Sequence, residues 1–190
     1  MAAEGGRGGL LKFIIGIGNP GKKYEKTRHN VGYRVVELLG GKAGWRKDGK
    51  LKALRAPLGE DAVLVKPETF VNRTGEAVPA QKDVLLVCDD VNLAFGALRL
   101  RASGSAGGHH GLESVIEALR SEEFPRLRIG VRNERMPKDL TGFVLEEFGA
   151  QERKALPEIL KKAALICETW AKSGFDAARD ALSRLQSVKP

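Results

Sequence analysis

The chain has 190 residues, 42% of them hydrophobic, and its 32 lysines and arginines outnumber 24 acidic residues for a formal net charge of +8. That length suits one domain able to bury its own core, and no apolar run nears the roughly 18 residues of a membrane span, so disordered and membrane-spanning classes are excluded. The positive balance favours a polyanionic partner, because cations that neutralise phosphates release condensed counterions.

The first nine residues, MAAEGGRGG, lack the apolar stretch of a signal peptide and read as a flexible tail ahead of a single domain at 10–190. LLKFIIGIG at 10–18 is a short apolar run closed by glycines, as in a buried strand. A polar loop, NPGKKYEKTRHN, leads into a helix over VGYRVVELLG. LKALRA and AVLVK pair as strands around the turn-prone PLGED. TFVNRTGEAV is a short helix, and DVLLVC is a second buried strand with Asp89 and Asp90 at its carboxyl end. ALRLRA alternates with period two and gives way to the glycine-rich SAGGHHGL. A helix starts near Gly108, with Leu112, Val115, Ile116 and Leu119 at i, i+3, i+4 and i+7. RLRIGVR alternates again. The tail is helical: Leu156, Ile159, Leu160, Ala163, Cys167 and Trp170 share a face, and Gly174 ends that helix before Asp176 caps a last one. Strands alternating with helices point to an α/β sandwich around one sheet. Cys88 and Cys167 sit in apolar surroundings and read as reduced core residues in a cytosolic setting.

Side chains at i and i+2 share a strand face, so Arg99 and Arg101 line one side while Leu98 and Leu100 enter the core. In the same way Arg126, Arg128 and Arg132 oppose Leu127, Ile129 and Val131. Each arginine alone reads as charge on a solvated sheet edge or as a phosphate contact; five together beside a glycine-rich loop favour phosphate.

Several chemistries fail on their own requirements. GIGNPG satisfies the dinucleotide fingerprint G-x-G-x-x-G, but KKYEKTR follows with no apolar face to pack as the required helix, and the acidic residue expected after a second strand is only Glu37, inside a helix. The nitrogen and carboxylate candidates for a metal are His29, His109, His110, Asp89 and Asp90, but adjacent histidines diverge and no Cys-x-x-Cys or His-x-x-x-His accompanies them. No G-x-S-x-G elbow supports a serine nucleophile. What remains is His29, at the end of the first polar loop, with Asp89 at the carboxyl end of a buried strand, where open α/β sheets bind ligands. A carboxylate on one imidazole nitrogen fixes the tautomer and leaves the other to take a proton from water. On spacing alone the pair reads sooner as a capping or surface histidine and a turn-forming aspartate than as a base with its orienter.

Three stretches, GIGNPGKKYEKTRHNVGY, KPETFVNRTGEAV and DDVNLAFGALRLRASGSAGGHHGLESV, continued by FPRLRIGVR, resemble the bacterial-type peptidyl-tRNA hydrolases from about residue 12 to residue 148. The resemblance implies a single α/β domain, a three-layer sandwich with a mixed, twisted sheet flanked by helices, working as a cytoplasmic monomer with no metal, cofactor or obligate protein partner. The implied reaction is hydrolysis of the ester between a peptide and the 3′-terminal ribose of tRNA, which recycles tRNA from prematurely released chains. On the matched positions, His29 is the base and Asp89 its orienting carboxylate. Asn19 and Asn72 hold peptide and attacking water, with Val71 on the peptide groove, and Tyr24 meets the acceptor end. Arg99, Arg101, Ser105 and Arg128 face tRNA phosphates. Two positions depart from the pattern. Val71 stands where the family has methionine, giving a stiffer, shorter wall, and His110 replaces the asparagine of G-G-H-N-G, which in the family binds substrate and positions water. A neutral imidazole offers one donor and one acceptor, as an amide does, so activity is expected to survive with altered rate or pH dependence. His109 is read as structural or tRNA-facing. The alternative is a noncatalytic RNA-binding relative of the splicing-factor kind, which has no need of a base with its orienter.

Overall fold

The computed structural model describes residues 11–79 and 83–187; the expected tail at 1–9 lies outside them. Seven strands, β1 (Lys12–Gly16), β2 (Arg46–Asp48), β3 (Ala53–Leu58), β4 (Ala62–Pro67), β5 (Val84–Ala94), β6 (Leu98–Arg101) and β7 (Arg126–Arg132), form one mixed sheet in the order β2-β3-β4-β1-β5-β7-β6. The central four are parallel, and antiparallel strands cover both edges. From β1 the chain crosses to the edge strand β2, returns inward through β3 to β4 beside β1, then passes to β5 on the other side of β1. The carboxyl ends of β1 and β5 therefore flank a crevice of the kind where such sheets place ligands.

Helices α1 (Val31–Gly40), α2 (His110–Leu119), α3 (Leu140–Val144) and α4 (Ala150–Ser187) complete the chain. Strand alternation sorts the apolar residues into two cores. Ile14, Leu64, Leu85, Val87 and Leu127 pack with α1 and α4, and Phe13, Ile15, Val65, Leu86 and Cys88 pack with Leu112 and Val115 of α2. The result is the expected α/β three-layer sandwich. The predicted face of α4 is buried at Leu156, Leu160, Ala163, Cys167 and Trp170, and Gly174 (φ 83) breaks the helix as its sequence position suggests. Lys12 donates to the carbonyls of Trp170 and Ala171 (3.3 and 2.8 Å), satisfying acceptors just before that break.

Gly16 and Gly18 of the dinucleotide-like motif, with Gly32 of α1, have a packing purpose. A Cβ on Gly16 would collide with the carbonyl of Gly32, one on Gly32 with that of Val87, and one on Gly18 with the ring of Tyr33. They let α1 lie directly on β1 and β5, where any side chain would hold it off.

Three expectations change. TFVNRTGEAV is a 3₁₀ segment, Val71–Ala77, distorted at Arg73 (φ −123), because Gly75 must press against Ser114 of α2 to satisfy its own N–H (3.0 Å to the Ser114 hydroxyl). The strand DVLLVC does not stop at Cys88 but continues through Asp89 and Asp90 to Ala94, bulging after Asp90. Asp89 is therefore a strand residue paired opposite Ile129, and the turn-former reading falls. β2 and α3 carry no periodic pattern that marks them in the sequence.

Candidate active site

His29 sits in a 3₁₀ turn, Arg28–Asn30, that runs directly into α1. Its Nδ1 is 2.8 Å from Asp89 Oδ1, and the same oxygen lies 3.1 Å from Nε2 of His109. The two rings are 5.1 Å apart at 40°. His109 caps the N-terminus of α2, and its Nδ1 accepts from the backbone N–H groups of Gly111 (3.1 Å) and Leu112 (3.3 Å). An acceptor Nδ1 requires the proton on Nε2, so His109 donates to Asp89. Asp89 has only acceptors to offer, so His29 also donates from Nδ1, which leaves its Nε2 with a free lone pair.

Asp89 is only 3% exposed. Burial alone would raise its pKa, but His29 and His109 together hold its carboxyl far below the usual carboxylate range. For His29, burial opposes the charged ring, yet the charge and hydrogen bond of Asp89 outweigh it and raise the pKa above the ordinary imidazole value. A strengthened base with a lone pair fixed in direction is the outcome. Among the described residues, these three groups are also the ones that could hold a metal ion, since their donor atoms lie within 4.8 Å of one another. Their hydrogen bonding runs against it: the two backbone amides on Nδ1 keep a proton on His109 Nε2, where a metal would need a lone pair.

The triad lines a cavity of about 640 Å³ together with Asn19, Phe70, Val71, Asn72, Asp90, Val91, His110, Arg128 and, from the far wall, Leu140, Val144 and Leu145. Phe70, Leu140 and Leu145 are exposed apolar side chains at its mouth. The backbone of Asn19 is locked by Asn30, which accepts from its N–H (2.8 Å) and donates to its carbonyl (2.9 Å). The Asn19 side-chain oxygen accepts from the N–H of buried Val71 (3.0 Å), so its NH₂ is the group left for the cavity. Asn72 is exposed on the lining. Tyr24 lies outside the lining, edge-on to Phe70 at 6.3 Å with the Lys23 ammonium over its ring.

The predicted arginine stripes divide. Arg99 and Arg101 are exposed on edge strand β6, opposite buried Leu98 and Leu100, as the alternation requires. Ser105 is exposed nearby. Arg126 is not on a solvated face: it is 1% exposed and donates to the carbonyls of Glu122, Phe124, Gly104 and Ser105. Arg128 faces the cavity with both terminal nitrogens engaged, to Asp90 (3.2 Å) and to the carbonyls of Ser105 (3.0 Å) and Ala106 (3.1 Å). Both arginines brace the glycine-rich loop from within, because irregular backbone there presents carbonyls that only a fork of donors can satisfy.

His110 lines the cavity from its rim, with Nδ1 2.8 Å from Glu113 Oε2. Arg28 lies beside His29 in the sequence. It is 4% exposed, donates to the carbonyls of Phe143 (3.5 Å) and Glu147 (2.9 Å) and to Glu152 (2.9 Å), and stacks on Phe143 at 4.3 Å. With the Thr27–Glu147 bridge and the Arg28 N–H on Glu146, it ties the turn bearing His29 to the cavity's far wall. A cation within TRHN carries no sequence mark of burial; only the fold brings it between two aromatic rings.

The family model described as peptidyl-tRNA hydrolase matches residues 13–189. The peptidyl-tRNA hydrolases of Chlorobaculum tepidum and Desulforudis audaxviator are both 40% identical to this chain, over 88% and 93% of it and over 95% and 94% of their own lengths. The crystal structure of peptidyl-tRNA hydrolase from Acinetobacter baumannii superposes with a TM-score of 0.81 at 28% identity, covering 95% of this chain and 96% of that one. A histidine and carboxylate at the crevice of this sheet, in a chain matched almost end to end, make it a member of the peptidyl-tRNA hydrolase family.

Proposed function

We propose that the protein hydrolyses the ester joining a peptide to the 3′-terminal ribose of tRNA, with His29 as general base and Asp89 as the carboxylate that orients it. The observation that carries this reading is the 2.8 Å contact from His29 Nδ1 to Asp89, which leaves Nε2 free on the wall of a cavity large enough for an acylated ribose. A water between Nε2 and the ester carbonyl loses its proton to His29 as its oxygen bonds to carbon. The NH₂ of Asn19 and the amide of Asn72 donate to the oxyanion that develops. Collapse breaks the carbon–oxygen bond to ribose, and the departing 3′-oxygen takes the proton back from His29, so peptide acid and free tRNA leave with the base restored. The apolar mouth formed by Phe70, Leu140 and Leu145 receives peptide side chains. Tyr24 meets the acceptor end, while Arg99 and Arg101, with Ser105 beside them, contact tRNA phosphates.

The same reading has the protein acting as a monomer in the cytoplasm to recover tRNA from chains released early. Two buried free cysteines support a reducing compartment, and no described helix is long and apolar enough to cross a membrane. A noncatalytic RNA-binding relative would have no use for a buried carboxylate that frees the lone pair of a base.

The test is incubation with N-acetylaminoacyl-tRNA, following free tRNA. The wild type turns over, and His29→Ala lowers kcat by about a hundredfold or more. No turnover by the wild type would overturn the reading; undiminished turnover by the variant would remove His29 from it.

A further inference from the structure

The sheet runs past its helix layer at one end. Arg46 of β2 pairs opposite Arg55 of β3, which pairs opposite Val65 of β4, so the three side chains share the face that α2 covers. Val65 is fully buried in the core beside α2, whereas the Arg55 side chain is one-third exposed and Arg46 is exposed, so the cover ends between β4 and β3. An open cleft of about 860 Å³ results, lined by Pro57 and Val63 and by the cations Arg46, Lys47, Lys50 and Arg55. Asp48 is the acid on this lining, and both its oxygens are committed: Oδ1 accepts from the N–H groups of Lys50 (3.0 Å) and Leu51 (3.1 Å), and Oδ2 from Arg55 (2.7 Å). Lys47 reaches Glu68 (3.1 Å), but among the described residues Arg46 and Lys50 have no ion pair, and the Arg55 Nε is buried with no partner. Like charges directly opposite across a strand pair repel, so the facing arginines are a cost that folding leaves uncompensated. Charge on an edge strand guards it against pairing with another chain; that accounts for Arg46 and Lys47 of β2 but not for an arginine on the inner strand β3.

We propose that this cleft is a second RNA-binding surface, taking the backbone phosphates of a duplex RNA other than the acceptor arm whose ester is cleaved. A phosphate oxygen between Arg46 and Arg55 offsets the repulsion of the facing pair and gives their unused guanidinium donors an acceptor. Lys50, on the turn after β2, adds a point charge beside them. A protein partner fits less well, because protein interfaces favour aromatic anchors and are depleted of lysine, and this lining holds two lysines and no aromatic side chain. The same lack of a stacking surface favours a duplex over unpaired bases. The cleft is also set apart from the contacts proposed for the substrate. β2 and β6 are opposite edges of the sheet, six strand spacings or roughly 29 Å apart. A stem that rests on Arg99 and Arg101 and ends in the central cavity extends away from β2, leaving this edge open to a different RNA.

The experiment follows fluorescence anisotropy of a labelled, blunt-ended RNA hairpin with no single-stranded 3′ end, titrated with the full chain at several salt concentrations. The double variant Arg46→Ala/Lys50→Ala removes two exposed side chains that have no ion pair to break. Its hairpin affinity should fall about fivefold or more, and its slope of log affinity against log salt should flatten by about 1.5. Its kcat and KM for an N-acetylaminoacyl-tRNA minihelix should stay within about twofold of the wild type. Unchanged hairpin affinity and slope overturn the proposal. So does a minihelix KM that rises in step with the hairpin Kd, since the two cations would then serve the substrate's own path. A polyglutamate peptide that binds the wild type as tightly as the hairpin does, and is lost in the double variant, overturns the choice of RNA as partner. Because hairpin binding is read without turnover, a protein that binds as described yet fails to hydrolyse the ester refutes the proposed function and leaves this surface standing.

Discussion

Asp89 and Asp90 are adjacent and chemically identical in sequence, and one strand register separates them. Successive side chains of β5 point to opposite sides, so Asp89 receives two imidazoles while Asp90 meets Arg128. The pairing of His29 with a carboxylate was legible as a candidate because each lies where a parallel sheet opens its crevice, but its assignment came from the family resemblance, not from spacing. The part played by His109 was not, since nothing in GGHHG says that one ring nitrogen will cap a helix while the other reaches Asp89. The assignment has a pH consequence. In Asp89→Asn the attractions that raise the His29 pKa are gone and burial, which lowers it, remains. The acid limb of the kcat profile should therefore move to lower pH while the plateau falls by about a hundredfold. A limb that stays in place or moves upward would mean that Asp89 does not hold the base. At the same scale, His110→Asn should keep neutral-pH turnover within about tenfold of the wild type, equivalent to about 1.4 kcal/mol of barrier.

Among the elements, the cavity's far wall is the one that sequence periodicity missed. α3 is five residues long, below the length at which an amphipathic pattern can be read, and its place is fixed by tertiary contacts. Arg28 supplies many of them, bonding two carbonyls and Glu152 from the turn that also carries His29. Arg28→Met would leave these acceptors buried and unmatched, costing about 3 kcal/mol in denaturant unfolding. Arg28→Lys keeps the charge but not the fork, so it should retain more stability while raising KM, because the wall proposed to receive the peptide shifts. Equal kcat and KM to the wild type in Arg28→Lys would show that wall and base are independent. The helix-period segments were legible: α1, α2 and α4 form where apolar spacing put them, whereas the 3₁₀ segment at Val71–Ala77 yields to the demand of Gly75 for a close approach to α2.

Across the whole molecule, the net charge of +8 is distributed by use. Arg126 and Arg128 are consumed inside, and Arg99 and Arg101 remain at the sheet edge formed by β6. Arg101→Ala should reduce the slope of log affinity for tRNA against log salt by about 1, whereas Arg128→Ala should chiefly loosen the glycine-rich loop and leave the slope unchanged. A slope altered equally by both would return Arg128 to the phosphate-facing set. The α/β architecture followed from alternation and periodicity; the strand order did not, because register and crossover depend on contacts distant in the chain. The His109 cap joins the scales. Since one imidazole secures both the first turn of α2 and the carboxylate bonded to His29, each fraying of that turn deprives Asp89 of a donor, and the hydrogen-exchange rates of the Gly111 and Leu112 amides become a clock for how often the proposed base and its carboxylate are disturbed.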